Sequence, residues 1–318
     1  MSGASKAGGI PFEPGQSVAA MPRSAVLAAA LLCILFGANA VAIKVCLTGI
    51  GVFTTAGLRF GLAAAVIGFW ALLTGRPLFG AISQWRRLGL ISVLFIAQLN
   101  LFYLGLSRTD AARAALLVNL QPFLVLILAH FFVQGEPITM RKCAGMLLGF
   151  AGISLVFAED VGRSGDLRTG DLLVLSATVF WAMSGVYVKR VFHHFRGFHV
   201  VFYPMVLAAP VFLLEGYLLD APMIRFLNTP VVLAFGYQSL ITASFGFVAW
   251  NTLLKRYGAV PMHSFLFLMP VSGVFLAGVV LGEPVTWKIL SALAMVAAGI
   301  ALVHVGARAP IPSLPPAK

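Results

Sequence analysis

Between Ser24 and Ile43 the chain carries no charged side chain, and apolar stretches of the same kind follow one another as far as residue 306. A run of about 20 apolar residues is what one helix needs to cross the hydrocarbon core of a bilayer. That requirement, met repeatedly, constrains the chain more than any motif in it. Hydrophobic residues make up 60% of the sequence and charged residues 10%, where a soluble domain carries about a quarter charged. The fold class that follows is an all-α polytopic membrane protein.

Ten spans fit the pattern: 24–45, 54–73, 87–107, 111–133, 141–158, 170–191, 199–219, 230–254, 259–281 and 287–306. Gly75-Arg76-Pro77 stops the second. Thr169 and Asp171 stand at the start of the sixth as helix caps do. Pro230 suits the first turn of the eighth. Residues 1–22 are small and polar and read as a disordered tail. The run after Arg23 is too long for a signal-peptide core and lacks a cleavage site. Residues 23–158 and 170–306 form two units of five spans, joined by an external linker at 159–169. Residues 307–318, with four prolines, form a non-helical cytoplasmic tail. No loop is long enough for a nucleotide-binding or catalytic domain, so function has to come from the bundle itself.

The net charge of +12 sits between the apolar runs, where it sets topology and does not point to nucleic acid. With the N-terminus inside, fourteen Lys and Arg fall in inside segments and seven in outside segments, and Arg59 lies within a span. This bias places both termini in the cytoplasm. Cys33, Cys46 and Cys143 form no disulfide framework, and no Cys or His spacing suits a metal, so neither a metal nor a cofactor is expected.

The chain is also duplicated. Pro122, an apolar run and Gly135-Glu136-Pro137-Ile138-Thr139 recur as Pro270, an apolar run and Gly282-Glu283-Pro284-Val285-Thr286. The segment 36–44, ending in Lys44, lies against 181–189, ending in Lys189. Because five is odd, the second unit enters the membrane with opposite polarity. Inverted repeats around a central cavity are the architecture of secondary transporters. Glu136 then falls inside and Glu283 outside, as matching hinge-and-cap elements, with kinks at Pro122 and Pro270 beside the cavity.

The chain resembles the EamA-type carriers of the drug/metabolite transporter superfamily. The resemblance rests on Gly-Ala-Asn-Ala-Val-Ala-Ile-Lys at 37–44, Leu58-Arg59-Phe60, Asp110-Ala111-Ala112-Arg113-Ala114, and both Pro…Gly-Glu-Pro-x-Thr stretches. It covers residues 24–306 and implies ten helices, cytoplasmic termini, a cavity between the halves, and export or exchange of small metabolites, often amino acids. One departure stands out: Pro261-Met262-His263 occupies the place of Arg113-Ala114-Ala115 in the second half.

Polar side chains within apolar runs are the candidate substrate contacts, since they face the interior of a bundle. They are Asn39, Gln98, Asn119, Trp181, Ser184, Tyr237 and Thr242, with Arg59 as an anchor for a carboxylate or phosphate. Each has a structural reading as well: interhelical hydrogen bonds for the amides and hydroxyls, core packing for Trp181, snorkelling for Arg59. Apart from Asp171 at the start of the sixth, Glu215 is the only carboxylate inside a span, so no Asp/Glu proton relay is expected.

The expected function is a secondary transporter moving a small neutral or zwitterionic metabolite by alternating access, with amino-acid export foremost. The alternative is a receptor or structural membrane protein that binds a ligand without flux. An enzyme is excluded by the lack of a paired intramembrane Asp, a His-Glu-x-x-His or a Gly-x-Ser-x-Gly. The expected partners are a small-molecule solute and the lipid bilayer, in a bacterial inner (plasma) membrane, with the protein a monomer or homodimer.

Overall fold

The computed structural model describes residues 21–75, 85–132, 139–158, 165–191, 199–257, 262 and 265–304. All elements described are helices: α1 Arg23–Gly37, α2 Asn39–Gly49, α3 Val52–Leu73, α4 Trp85–Leu106, α5 Ala111–Val118, α6 Gln121–Phe132, α7 Met140–Ala158, α8 Gly165–Val191, α9 His199–Leu219 and α10 Thr229–Gly236. A π-helical stretch, Tyr237–Gly246, then leads into α11 Phe247–Tyr257, followed by α12 Leu268–Leu281 and α13 Trp287–His304. Eight continuous helical stretches are long and apolar enough to cross a membrane, and α12 and most of α13 are shorter apolar helices. The bundle carries large apolar side chains on its outside: Leu27 is 70% exposed, Phe69 64% and Phe275 66%. Such a perimeter is costly in water and matched to lipid, and the chain is an integral membrane protein.

Local chemistry explains where the runs are interrupted. The first run divides at Ala38, leaving Asn39 to open α2. The fourth divides at Asn119–Leu120, so Pro122 sits in the first turn of α6. Proline is tolerated there because its missing N–H would be unpaired in any case. Pro270 likewise lies in the first turn of α12, after a turn at 265–267. Pro122 therefore follows a break between two helices, where the sequence suggests a kink within one. Asn228 caps α10 by accepting from the Val231 N–H at 3.0 Å, with Pro230 in the first turn. The sixth run starts earlier than expected: α8 begins at Gly165, which puts Asp171 inside the helix and not at its cap.

Small residues set the closest crossings. A Cβ on Gly37 would lie 2.0 Å from Ser272 Oγ and 2.4 Å from the Met269 carbonyl, so α1 and α12 meet backbone to backbone. Gly145, Gly149 and Gly152 bring α7 onto α13 and Phe123 in the same way, and Gly105 and Gly170 join α4 to α8. The remaining packing follows: α3 on α9 and on the π stretch, α4 also on α9, α5 on α12, α6 on α8, and α2 on α10. Ala56, Phe60, Phe102, Leu116, Phe123 and Phe212 fill the space between them.

One end of the bundle is closed by polar contacts between helix ends. Gly51 N–H donates to the Met223 carbonyl and Arg225 N–H to the Gly49 carbonyl, each at 2.8 Å. Asp220, after α9, accepts from the Val52 and Thr54 amides at 3.1 and 2.7 Å and from the Thr54 hydroxyl at 2.9 Å, capping α3.

Candidate functional site

About two turns into α3 from this closed end, Arg59 points into the bundle and is only 8% exposed. Its Nη1 donates to Tyr103 Oη at 3.0 Å, and its Nη2 reaches Thr242 Oγ1 at 3.4 Å. Tyr103, fully buried on α4, passes its own proton to Gln238 Oε1 at 3.3 Å. Gln238 Nε2 in turn donates to Cys46 Sγ at 3.0 Å. Thr242 Oγ1 stands 3.0 Å from Asn39 Oδ1 and 2.8 Å from the Gln238 carbonyl, and its single proton serves one of them at a time. The network thus joins α2, α3, α4 and the π stretch through six side chains: Asn39, Cys46, Arg59, Tyr103, Gln238 and Thr242.

The π stretch shapes one wall. Its i→i+5 turns are wider than α turns and are often found at functional positions. They place Gln238 and Thr242 together facing Arg59, and they bring the Ser244 hydroxyl onto the Ser239 carbonyl five residues back, at 2.8 Å. The network is not saturated. Among the described residues, Arg59 Nε and Ser239 Oγ are buried without a hydrogen-bond partner, as is Gln98 Oε1 elsewhere on α4. Burying such groups unpaired costs about 1–3 kcal/mol each.

A second cluster lies at the closed end. Glu283 accepts from the Ala111 and Ala112 amides at 2.8 and 2.9 Å, capping α5, and pairs with Lys44 at 3.5 Å. Lys44 also lies 3.9 Å from Asp110 and donates to the Thr109 carbonyl. The left-handed backbone of Gly282 (φ +66°) ends α12 and turns the chain so that Glu283 reaches α5. Beside it is a fully buried ion pair. Arg113 donates to Asp171 through Nε at 2.9 Å and again through Nη2, and to the Val156 carbonyl at 3.0 Å, while Thr109 donates to the same carboxylate.

Of the residues singled out in the sequence, hydrogen bonds bring together Asn39, Arg59 and Thr242. Tyr237 adjoins them in the chain, but its hydroxyl donates to the Leu35 carbonyl at 2.6 Å. Asn119 turns back on its own helix, donating to the Ala115 carbonyl at 2.6 Å. Trp181 packs edge-on against Phe102, ring centres 6.0 Å apart. Ser184 and Gln98 are buried, and no hydrogen bond among the described residues ties them to the network. Pro122 follows the break between α5 and α6, Pro270 lies in the first turn of α12, Glu283 stands at the cap of α5, and Glu136 lies outside the described residues.

Sequence reasoning missed Tyr103, Arg113 and Asp171. Nothing in the sequence sets Tyr103 apart from other aromatics near span ends, while Asp171 reads as a helix cap and Arg113 as an outside charge. Thr109 and Arg113, four apart at the head of an apolar run, were the available sign of a buried polar contact.

The chain is similar to several known proteins. The uncharacterized transporter YyaM of Bacillus subtilis is 27% identical over 73% of this chain and 77% of its own length. A probable amino-acid metabolite efflux pump of Escherichia coli is 26% identical over 84% of this chain and 90% of its own. A solved crystal structure with 22% identity has a TM-score of 0.67, covering 89% of this chain and 98% of that one, and shares the fold. The model of one family, described as EamA-like transporters, matches residues 23–158 and again 168–305, nearly the whole helical chain. The chain belongs to the EamA-like transporter family.

Proposed function

We propose that this transporter works by alternating access of two five-span units of opposite polarity, and that it exports a small amino-acid-related metabolite. The observation that carries this reading is how the helices pack. If each of the ten runs is exchanged with the run five places on, every major contact maps onto another that is present. The pairs α3–α9, α7–α13 and α5–α12 map onto themselves; α4–α8 exchanges with α10–α2, α1–α12 with α6–α8, and α4–α9 with the π stretch on α3. That internal exchange is what two related five-span units would give, and it supports the alternating-access reading. The Lys/Arg bias then turns the closed end outward and both termini to the cytoplasm of a bacterial inner membrane.

The solute class draws on the relatives named as amino-acid metabolite efflux pumps and on the buried polar network, which offers one cation and several neutral groups. The test is counterflow in liposomes containing the purified full chain, with labelled amino acids and related acids. Accumulation driven by unlabelled solute on the far side is expected. Solute binding without any flux across a broad panel would replace this reading with a receptor.

A further inference from the structure

Arg59 has no counter-ion among the described residues. The six described carboxylates are placed elsewhere: Asp171 with Arg113, Asp110 and Glu283 with Lys44, Asp220 at the head of α3, Glu215 accepting both contacts from Asn100 at 2.7 and 2.8 Å, and Asp166 exposed in the first turn of α8. A cation more than nine-tenths buried against neutral hydroxyls and an adjacent ring (Phe60, 5.2 Å) lacks the pairing that normally accompanies such burial.

The two edges of the guanidinium also differ. The Nη1 corner makes the firm 3.0 Å bond to Tyr103. Along the Nε–Nη2 edge, among the described residues, Nε has no partner and Nη2 has only the long 3.4 Å contact to Thr242. Two parallel N–H donors are the geometry that grips a carboxylate with both oxygens. An oxygen arriving at Nη2 displaces little, and Thr242 has a second neighbour in Asn39 to fall back on. No negative group in the network faces a solute ammonium. Its acceptors, Asn39, Cys46, Tyr103, Gln238 and Thr242, carry no carboxylate.

We propose that the Nε–Nη2 edge of Arg59 is the landing place for a carboxylate of the transported solute, and that the solute is selected by its acid group, with an amino group optional. This rests on the transporter reading but sharpens it: 2-oxo and 2-hydroxy acids are taken as well as the corresponding amino acids, and amides and amines are refused.

The test uses the purified full chain and four matched probes: leucine, 4-methyl-2-oxopentanoate, leucinamide and isoamylamine. Thermal stabilisation is followed by titration, so the wild-type protein alone separates recognition of the acid from recognition of the amine. The two acids are expected to bind and the two bases to bind at least about tenfold more weakly, the share of a charge-assisted bidentate contact. Arg59→Lys is expected to keep part of the preference, and Arg59→Gln, checked for monodispersity, to abolish it. Equal binding of leucinamide, a requirement for the amino group, or no stabilisation by either acid overturns the proposal. So does an unchanged acid preference in a folded Arg59→Gln protein. Counterflow separates the two ideas: acid-selective binding without flux sinks the transporter reading and leaves the Arg59 assignment standing. Flux of acids and amides alike does the reverse.

Discussion

Lys44 and Glu283 meet at the closed end of the bundle with Nζ 3.5 Å from Oε1, although one belongs to the chain's first apolar run and the other follows its ninth. The same carboxylate holds the first two amides of α5. Glu283→Ala removes a helix cap and a partly screened ion pair together, and is expected to cost about 1–3 kcal/mol. Glu283→Gln keeps one acceptor and should cost about half as much. Lys44→Met, which leaves the cap intact, should cost at most about 1 kcal/mol. Thermal unfolding in detergent orders the three, and an unaltered midpoint for Glu283→Ala would refute the role assigned to it.

The Arg113–Asp171 pair behaves differently because it is sealed from water. Removing one partner strands the other charge, so Arg113→Met and Asp171→Asn are each expected to lose about 3–5 kcal/mol and much of the folded yield. Replacing both, Arg113→Met with Asp171→Leu, should recover a large part of that loss, since no uncompensated charge remains. A double variant no better than the singles would show that the backbone contact to Val156 and the Thr109 bond matter more than the charges.

Tyr103 connects Arg59 to Gln238. Tyr103→Phe leaves Gln238 Oε1 buried without its donor and Nη1 without its acceptor, an expected loss of about 1–3 kcal/mol. If the assignment of the Nε–Nη2 edge is right, acid binding survives this change within a few fold. Titration of the same probes on the variant checks it.

Two glycine substitutions give a contrast within one chain. At Gly37 an added methyl would collide with Ser272 and with the Met269 carbonyl, whereas at Gly89 nothing lies within 4 Å. Gly37→Ala is expected to destabilise the protein by about 1–3 kcal/mol or more through overpacking, and Gly89→Ala to stabilise α4 by about 0.5–1 kcal/mol. Midpoints of thermal unfolding that moved in the same direction would contradict the α1–α12 crossing.

The helical membrane class was legible because lipid leaves a chain few options, and the runs, prolines and glycines lie in plain view. Arg59, Asn39 and Thr242 were legible for the same reason: a charge, an amide or a hydroxyl is conspicuous in an apolar run. Tyr103 was not, because an aromatic near a span end has a sufficient explanation at the interface. Asp171 was misread because nothing in the sequence marks Gly165 as the start of α8, and a few residues of extra helix turn a cap into a core group. The breaks at Ala38 and Leu120 were hidden too. Apolar side chains fit either half of a divided helix, so hydrophobicity does not register the division.

The π stretch was illegible on the same grounds, and its consequence is one of register. Ten residues wound at i→i+5 carry surplus chain that an α-helix would not need. Deleting a single residue after Thr242, for example Ala243, should let the stretch rewind as α with α10 and α11 keeping their places, and change the spacing of the side chains within it. Gln238 and Thr242 would then lose the spacing with which they meet Tyr103 and Arg59. The polar core of this transporter is in that sense held in alignment by one amino acid of slack, and circular dichroism together with loss of acid binding in the deletion variant would measure how much hangs on it.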